Sequence, residues 1–112
     1  MLCLCRTVVG AVLLGVLAPA GHAADIDGAA VYRQNCVACH GAEPNGRGPA
    51  AMALRPPPTD LTDAEWWATR TDAEVAASIR TGRPGSSMVS YAAMSDEELS
   101  AMVAWLRNQS AE

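Results

Sequence analysis

Cys36-Val37-Ala38-Cys39-His40 is the stretch on which the reading of this chain turns. A CxxCH pentapeptide is the attachment signature of a c-type haem. On a helically wound chain, two thiols three positions apart each reach one vinyl group on the porphyrin edge. His40 then lies under the iron. The thioethers fix the ring in plane and rotation, so the imidazole meets the metal with almost no orientational entropy left to lose.

Other CxxC chemistries fail on ligand count and context. A closed structural zinc site needs four ligands, and the chain has four Cys and two His. Cys3, Cys5 and His22, however, fall in a segment that reads as a removable leader. Met1 to Arg6 carries one positive charge, Thr7 to Ala18 is apolar, and Pro19 to Ala23 supplies a helix breaker and small residues before a cut at Ala24. Gly10, Gly15, Pro19, Gly21 and His22 make the same stretch a poor bilayer helix, so no stable membrane anchor is expected. No β-branched run leads into Cys36, as a thioredoxin-like centre would require. The expected organisation is a signal peptide over residues 1–23 and one haem domain over residues 24–112. Export to the periplasm follows from the leader, and it agrees with haem attachment, which bacteria perform outside the cytoplasm.

A domain this short buries little apolar surface on its own. A covalent haem would complete the core of a sequence with no Phe, three Trp and two Tyr. The chain without haem is expected to be largely unfolded. From Ala24 on, seven Arg face twelve Asp and Glu, with no Lys, for a net charge of −5. That balance argues against a nucleic-acid partner, whose usual footprint is a basic face. It leaves open steering towards a basic patch on a redox partner.

Helix signals punctuate the domain. Asp27 can cap a first helix that runs into the haem motif, and Gly28 inside its first turn suggests that another element passes closely over it. Gly41 to Pro49 reads as a loop around the haem edge, tightly turned at Gly46-Arg47-Gly48-Pro49. Pro56-Pro57-Pro58 is a stiff strap. Thr62 with Glu65, Thr71 with Glu74 and Ser95 with Glu98 form three capping boxes. After the last, Leu99, Met102, Val103 and Leu106 make an apolar stripe whose natural partner is the first helix. Arg47 and Arg55 are candidates to reach the haem propionates. Of the adjacent Trp66 and Trp67, one is expected in the core with its indole N–H available to a propionate.

A metal-bound histidine needs an acceptor for its second ring nitrogen. The Pro49 carbonyl is the candidate. The sixth iron position has no second histidine or lysine to fill it, which leaves Met52, Met88, Met94 and Met102. Met102 falls in the apolar stripe, Met94 should staple onto Leu99, and Met52 is too close in sequence to His40. Met88, in the helix-free stretch Gly85 to Ser90, is the assigned ligand, with Met94 next.

Tyr32, Asn35, the CxxCH motif, Gly41, Gly46, Gly48, Pro49, Ile79, Gly82, Met88 and the Ser95 to Leu106 ending together resemble the small class I c-type cytochromes of bacteria. That resemblance covers essentially all of residues 24–112. It implies an all-α cytochrome c fold, with N- and C-terminal helices crossed around one covalent haem c. Cys36 and Cys39 would be its thioether ligands, His40 and Met88 its axial ligands, and Pro49 the carbonyl partner of His40. The family usually has Pro after the axial Met; here it is Val89. The implied function is one-electron transfer between redox proteins, such as a dehydrogenase and a terminal oxidase, without catalysis of its own. The alternatives are a permanent subunit of a larger oxidoreductase, or a gas-binding or peroxidase-like protein with an open iron.

Overall fold

The computed structural model describes residues 10–12, 15 and 25–111. Apart from 10–12 and 15, the leader expected over residues 1–23 lies outside them. Five helices follow in order: α1 (Gly28–Asn35), α2 (Val37–His40), α3 (Ala64–Ala68), α4 (Asp72–Thr81) and α5 (Asp96–Gln109). A 3-10 turn at Ala51–Ala53 stands between α2 and α3. Among the described residues there is no strand, and no helix is long and apolar enough to cross a membrane.

The Asp27 carboxylate caps α1 by accepting from the N–H groups of Ala29 and Ala30. The expected single helix into the motif is instead kinked at Cys36. Its hydrogen-bond ladder passes through the kink, with Cys36 N–H on the Tyr32 carbonyl and His40 N–H on the Cys36 carbonyl. Helix α5 carries the predicted stripe, and Leu99, Met102, Val103 and Leu106 are all buried. Each such side chain contributes about 1.5–3 kcal/mol relative to leaving it in water.

Crossing of α1 over α5 is the largest contact between elements, and Gly28 makes it possible. A Cβ there would lie 2.1 Å from the Ala101 carbonyl oxygen, so only glycine lets the two backbones approach this closely. Tyr32, fully buried one turn later, packs its ring 5.1 Å from that of Trp105. Its hydroxyl donates to the Gly41 carbonyl and so ties α1 to the loop after the motif. Burial, and then the neighbouring Cys36, raise the Tyr32 pKa, which keeps the phenol a donor across the physiological range.

Capping boxes at Thr71 and Ser95 form as the sequence implies. The box expected at Thr62 does not. Asp63 caps α3 instead, accepting from Glu65 N–H, because the Thr62 hydroxyl and N–H are both committed to the Asp60 carboxylate. At α5 the box is reciprocal, with Ser95 Oγ accepting from Glu98 N–H at 3.1 Å and Glu98 Oε2 accepting from Ser95 N–H at 3.3 Å. Ser95→Ala is expected to cost about 1 kcal/mol. In urea denaturation this will lower the midpoint at an unchanged slope.

Candidate haem site

Between α2 and its strap on one side and α4 and the Met88 loop on the other lies a slot made of two cavities. The larger, ≈ 490 Å³, is walled by Cys36, Cys39, the Pro56–Pro58 strap, Met88 and Tyr91. The second, ≈ 210 Å³, runs inward past Leu61, Trp66, Val75, Ile79 and Leu106. His40 and Met88 line both. Cys36 and Cys39 are free thiols at the outer end. Burial, and then the charge of Cys39, push the Cys36 thiol up to about 11, so it stays protonated at neutral pH.

His40 Nδ1 lies 3.1 Å from the Thr59 carbonyl. A carbonyl only accepts, so Nδ1 carries the proton and the lone pair is on Nε2. Burial lowers the His40 pKa, with the Thr59 carbonyl opposing, and the neutral ring is the form that ligates metal. The carbonyl partner is therefore Thr59 and not Pro49. The Gly41 to Ala50 loop lies behind α2, where Gly46, Gly48 and Ala50 N–H groups bond the carbonyls of His40, Cys39 and Ala38. Pro49 is carried out to solvent there, while the stiff strap delivers Thr59 to the imidazole. A Pro-rich run ending one residue before Thr59 was the available signal.

Of the four methionines of the domain, Met88 alone lines the slot. Met52 is 90% exposed, and Met94 and Met102 are buried among core residues. The Met88 loop is held without a following proline. Arg83 N–H bonds the Met88 carbonyl, Ser86 Oγ accepts from Met88 N–H, and Ser90 Oγ donates to the Arg80 carbonyl. Gly82, at φ +72°, is pressed against this loop, and a Cβ there would stand 2.9 Å from Met88 O, Ser90 N and Val89 C. Tyr91 closes the turn by donating its hydroxyl to the Asn35 carbonyl at 2.9 Å.

The arginines and tryptophans considered for the propionates fall in different places relative to the slot. Arg47 and Arg55 are exposed and line neither cavity; Arg70 and Arg83 line the slot instead. Trp67 is the core tryptophan, but its indole N–H donates to the Leu61 carbonyl at 2.8 Å. Trp66 faces the inner cavity, with the Arg70 guanidinium 4.3 Å over its ring. The donor set fits a covalent haem, with two unpaired thiols at one edge, a neutral imidazole of fixed tautomer on one wall and a thioether on the other, and an apolar interior.

Comparison with known proteins agrees with this geometry. Residues 23–106 match the family described as cytochrome c oxidase, cbb3-type, subunit III. Over 96 residues the chain is 38% identical to the dihydro-heme d1 dehydrogenase of Pseudomonas aeruginosa, covering 84% of this chain. It spans 17% of that longer relative. Among solved structures it is similar to the Kuenenia stuttgartiensis reducing HAO-like protein complex, with a TM-score of 0.65 and 25% identity over 74% of this chain and 41% of the other. It is also similar to the KustC0563 c-type cytochrome, with a TM-score of 0.60 and 30% identity over 75% of this chain and 98% of the other.

Proposed function

The chain belongs to the family of c-type cytochrome domains described as cytochrome c oxidase, cbb3-type, subunit III, and from that premise we propose that it is a one-electron carrier whose haem iron is held by His40 and Met88. Its fold is the all-α cytochrome c fold, and it carries covalent haem c. The haem supplies a one-electron couple that changes charge at iron with no bond made or broken. Cys36 and Cys39 anchor its outer edge. Thr59 holds the His40 ring in the tautomer that offers Nε2, and the Gly82 and Ser90 contacts hold the Met88 thioether opposite. With His40 and Met88 both bound to the iron there would be no open site for substrate, and a methionine ligand would raise the reduction potential. Residues 1–23, read as a leader, support export to the periplasm.

The observation that carries the ligand assignment is that His40 and Met88 line both cavities of one slot while no other methionine does. Visible spectra of the exported protein with and without carbon monoxide test it. The wild type is expected to be low-spin in both oxidation states and not to bind the gas. Met88→Ala is expected to lose the weak sulfur-to-iron band and to bind carbon monoxide at least about a hundredfold more tightly, ~2.8 kcal/mol. A wild type that binds carbon monoxide readily would mean an open iron and a ligand-binding or peroxidase-like role.

A second reading, a haem-bearing part of a larger oxidoreductase, is favoured by the match to a short stretch of a dehydrogenase. Under that reading the chain purifies from its host in a stable complex, and under the first it purifies alone.

A further inference from the structure

We infer that Arg80 is a positioning residue for the Met88 ligand: its guanidinium pins the chain that follows Met88 onto the end of α4 and the start of α5, and so keeps the thioether in the slot. The inference rests on the reading of Met88 as an iron ligand and names the side chain that holds it there.

Between α4 and α5 the chain from Gly82 to Ser95 carries no helix, and Met88 lies within it. Ordering such a segment costs backbone entropy, so it keeps one shape only where fixed groups hold it. Up to Met88 the fixtures are local, through Gly82, Arg83 and Ser86. The next residue is Val89, which is 61% exposed and adds little packing. A proline there would lock one backbone angle, and valine does not.

The last turn of α4 holds the second half of the loop. Tyr91 N–H bonds the Ile79 carbonyl at 3.2 Å, and Ser90 Oγ donates to the Arg80 carbonyl at 2.7 Å. The Arg80 side chain reaches further. Its Nη1 donates to the Ala92 carbonyl at 3.3 Å and to the Met94 carbonyl at 3.1 Å, while Nη2 donates to the Asp96 carboxylate in the first turn of α5. A planar cation with a fixed fork of N–H donors can serve all of these acceptors at once, which a flexible ammonium or a neutral amide cannot. The ion pair with Asp96 is exposed and contributes little to global stability. Its consequence is local, because the other two bonds fall on loop carbonyls. A neutral thioether is a soft ligand and binds ferric iron less firmly than ferrous, so in the ferric state the loop decides how much of Met88 stays bound.

The other end of the helix pair carries the same chemistry without the ligand loop. Arg107, in the last turn of α5, pairs with Asp72 in the first turn of α4, and its Nη2 donates to the Arg70 carbonyl at 2.9 Å. Each arginine thus joins the C-terminal turn of one helix to an N-terminal carboxylate of the other. Their side chains are equally exposed, 35% for Arg80 and 38% for Arg107. They differ in the carbonyls they hold: Arg80 fastens the chain after Met88, and Arg107 fastens the turn before α4.

That pairing supplies a matched control. Imidazole added to the ferric holoprotein binds only molecules in which Met88 has left the iron, so its apparent affinity follows the open fraction. R80Q is expected to weaken the sulfur-to-iron band and to raise imidazole affinity about tenfold. R107Q also loses a cation stacked on Trp67, and is expected to lower the melting temperature at least as much as R80Q while leaving imidazole affinity at the wild-type value. D96N and D72N remove only the carboxylate partners and are expected to show the same contrast, with affinity raised about threefold in D96N alone. In R80Q, or in D96N where R80Q does not fold, a wild-type affinity overturns the role of Arg80 and leaves the ligand reading intact. Equal effects at the two ends of the helix pair do the same. A Met88→Ala protein that binds imidazole no more tightly than the wild type overturns both.

Discussion

A chain in which Cys36 and Cys39 are both replaced by serine is expected to be unfolded at neutral pH and room temperature. Without thioethers nothing retains the haem through export and purification, and the slot loses its occupant. Leu61, Trp66, Val75, Ile79 and Leu106 then line an empty cavity, at a cost of about 2–5 kcal/mol for each vacated side-chain volume. A domain of this size has roughly 5–10 kcal/mol of total stability, so several such costs are enough to unfold it. Far-ultraviolet circular dichroism with a urea titration decides the matter. Loss of helix signal and of any cooperative transition is expected, and a native-like spectrum with a cooperative melt would overturn it. C36S alone, which keeps one thioether through Cys39, is expected to fold with haem and so separates the serine substitution from the loss of haem.

Gly28→Ala is expected to lower stability by roughly 3 kcal/mol and the melting temperature of the holoprotein by about 12–24 °C. Helix propensity taken alone predicts the reverse, because alanine is favoured over glycine by ~1 kcal/mol in a helix. The added Cβ meets Ala101 O at 2.1 Å, Ala101 C at 2.5 Å and Met102 N at 2.9 Å, all of them backbone atoms that no rotamer change can move. Relief requires α1 and α5 to separate, which loosens Tyr32 against Trp105 and the buried stripe of α5. A melting temperature equal to or above the wild type would show that the two helices can part without cost.

These contacts mark how far the sequence could be read. Gly28 announced a close approach because glycine in a first helical turn is otherwise unfavourable, and the stripe from Leu99 to Leu106 named the element that approaches. The Ser95 and Thr71 caps were legible because their partners lie three residues away. The Thr62 cap was misread because Asp60, two residues earlier, competes for the same hydroxyl and N–H. Met88 was the preferred ligand because local pattern gives Met94 and Met102 other roles and Met52 lies too close in sequence to His40.

What the sequence determined by itself is the chemistry that depends on local spacing. That covers the CxxCH attachment, the caps and the apolar face of α5, all set by covalent geometry and helical repeat within a few residues. The fold alone decided which distant groups meet. Thr59 rather than Pro49 accepts from His40 across 19 residues, and Leu61 rather than a propionate takes the Trp67 N–H. Hydrogen-bond partners and local fields depend on three-dimensional distance, and only the path of the strap and the crossing of the helices set those distances.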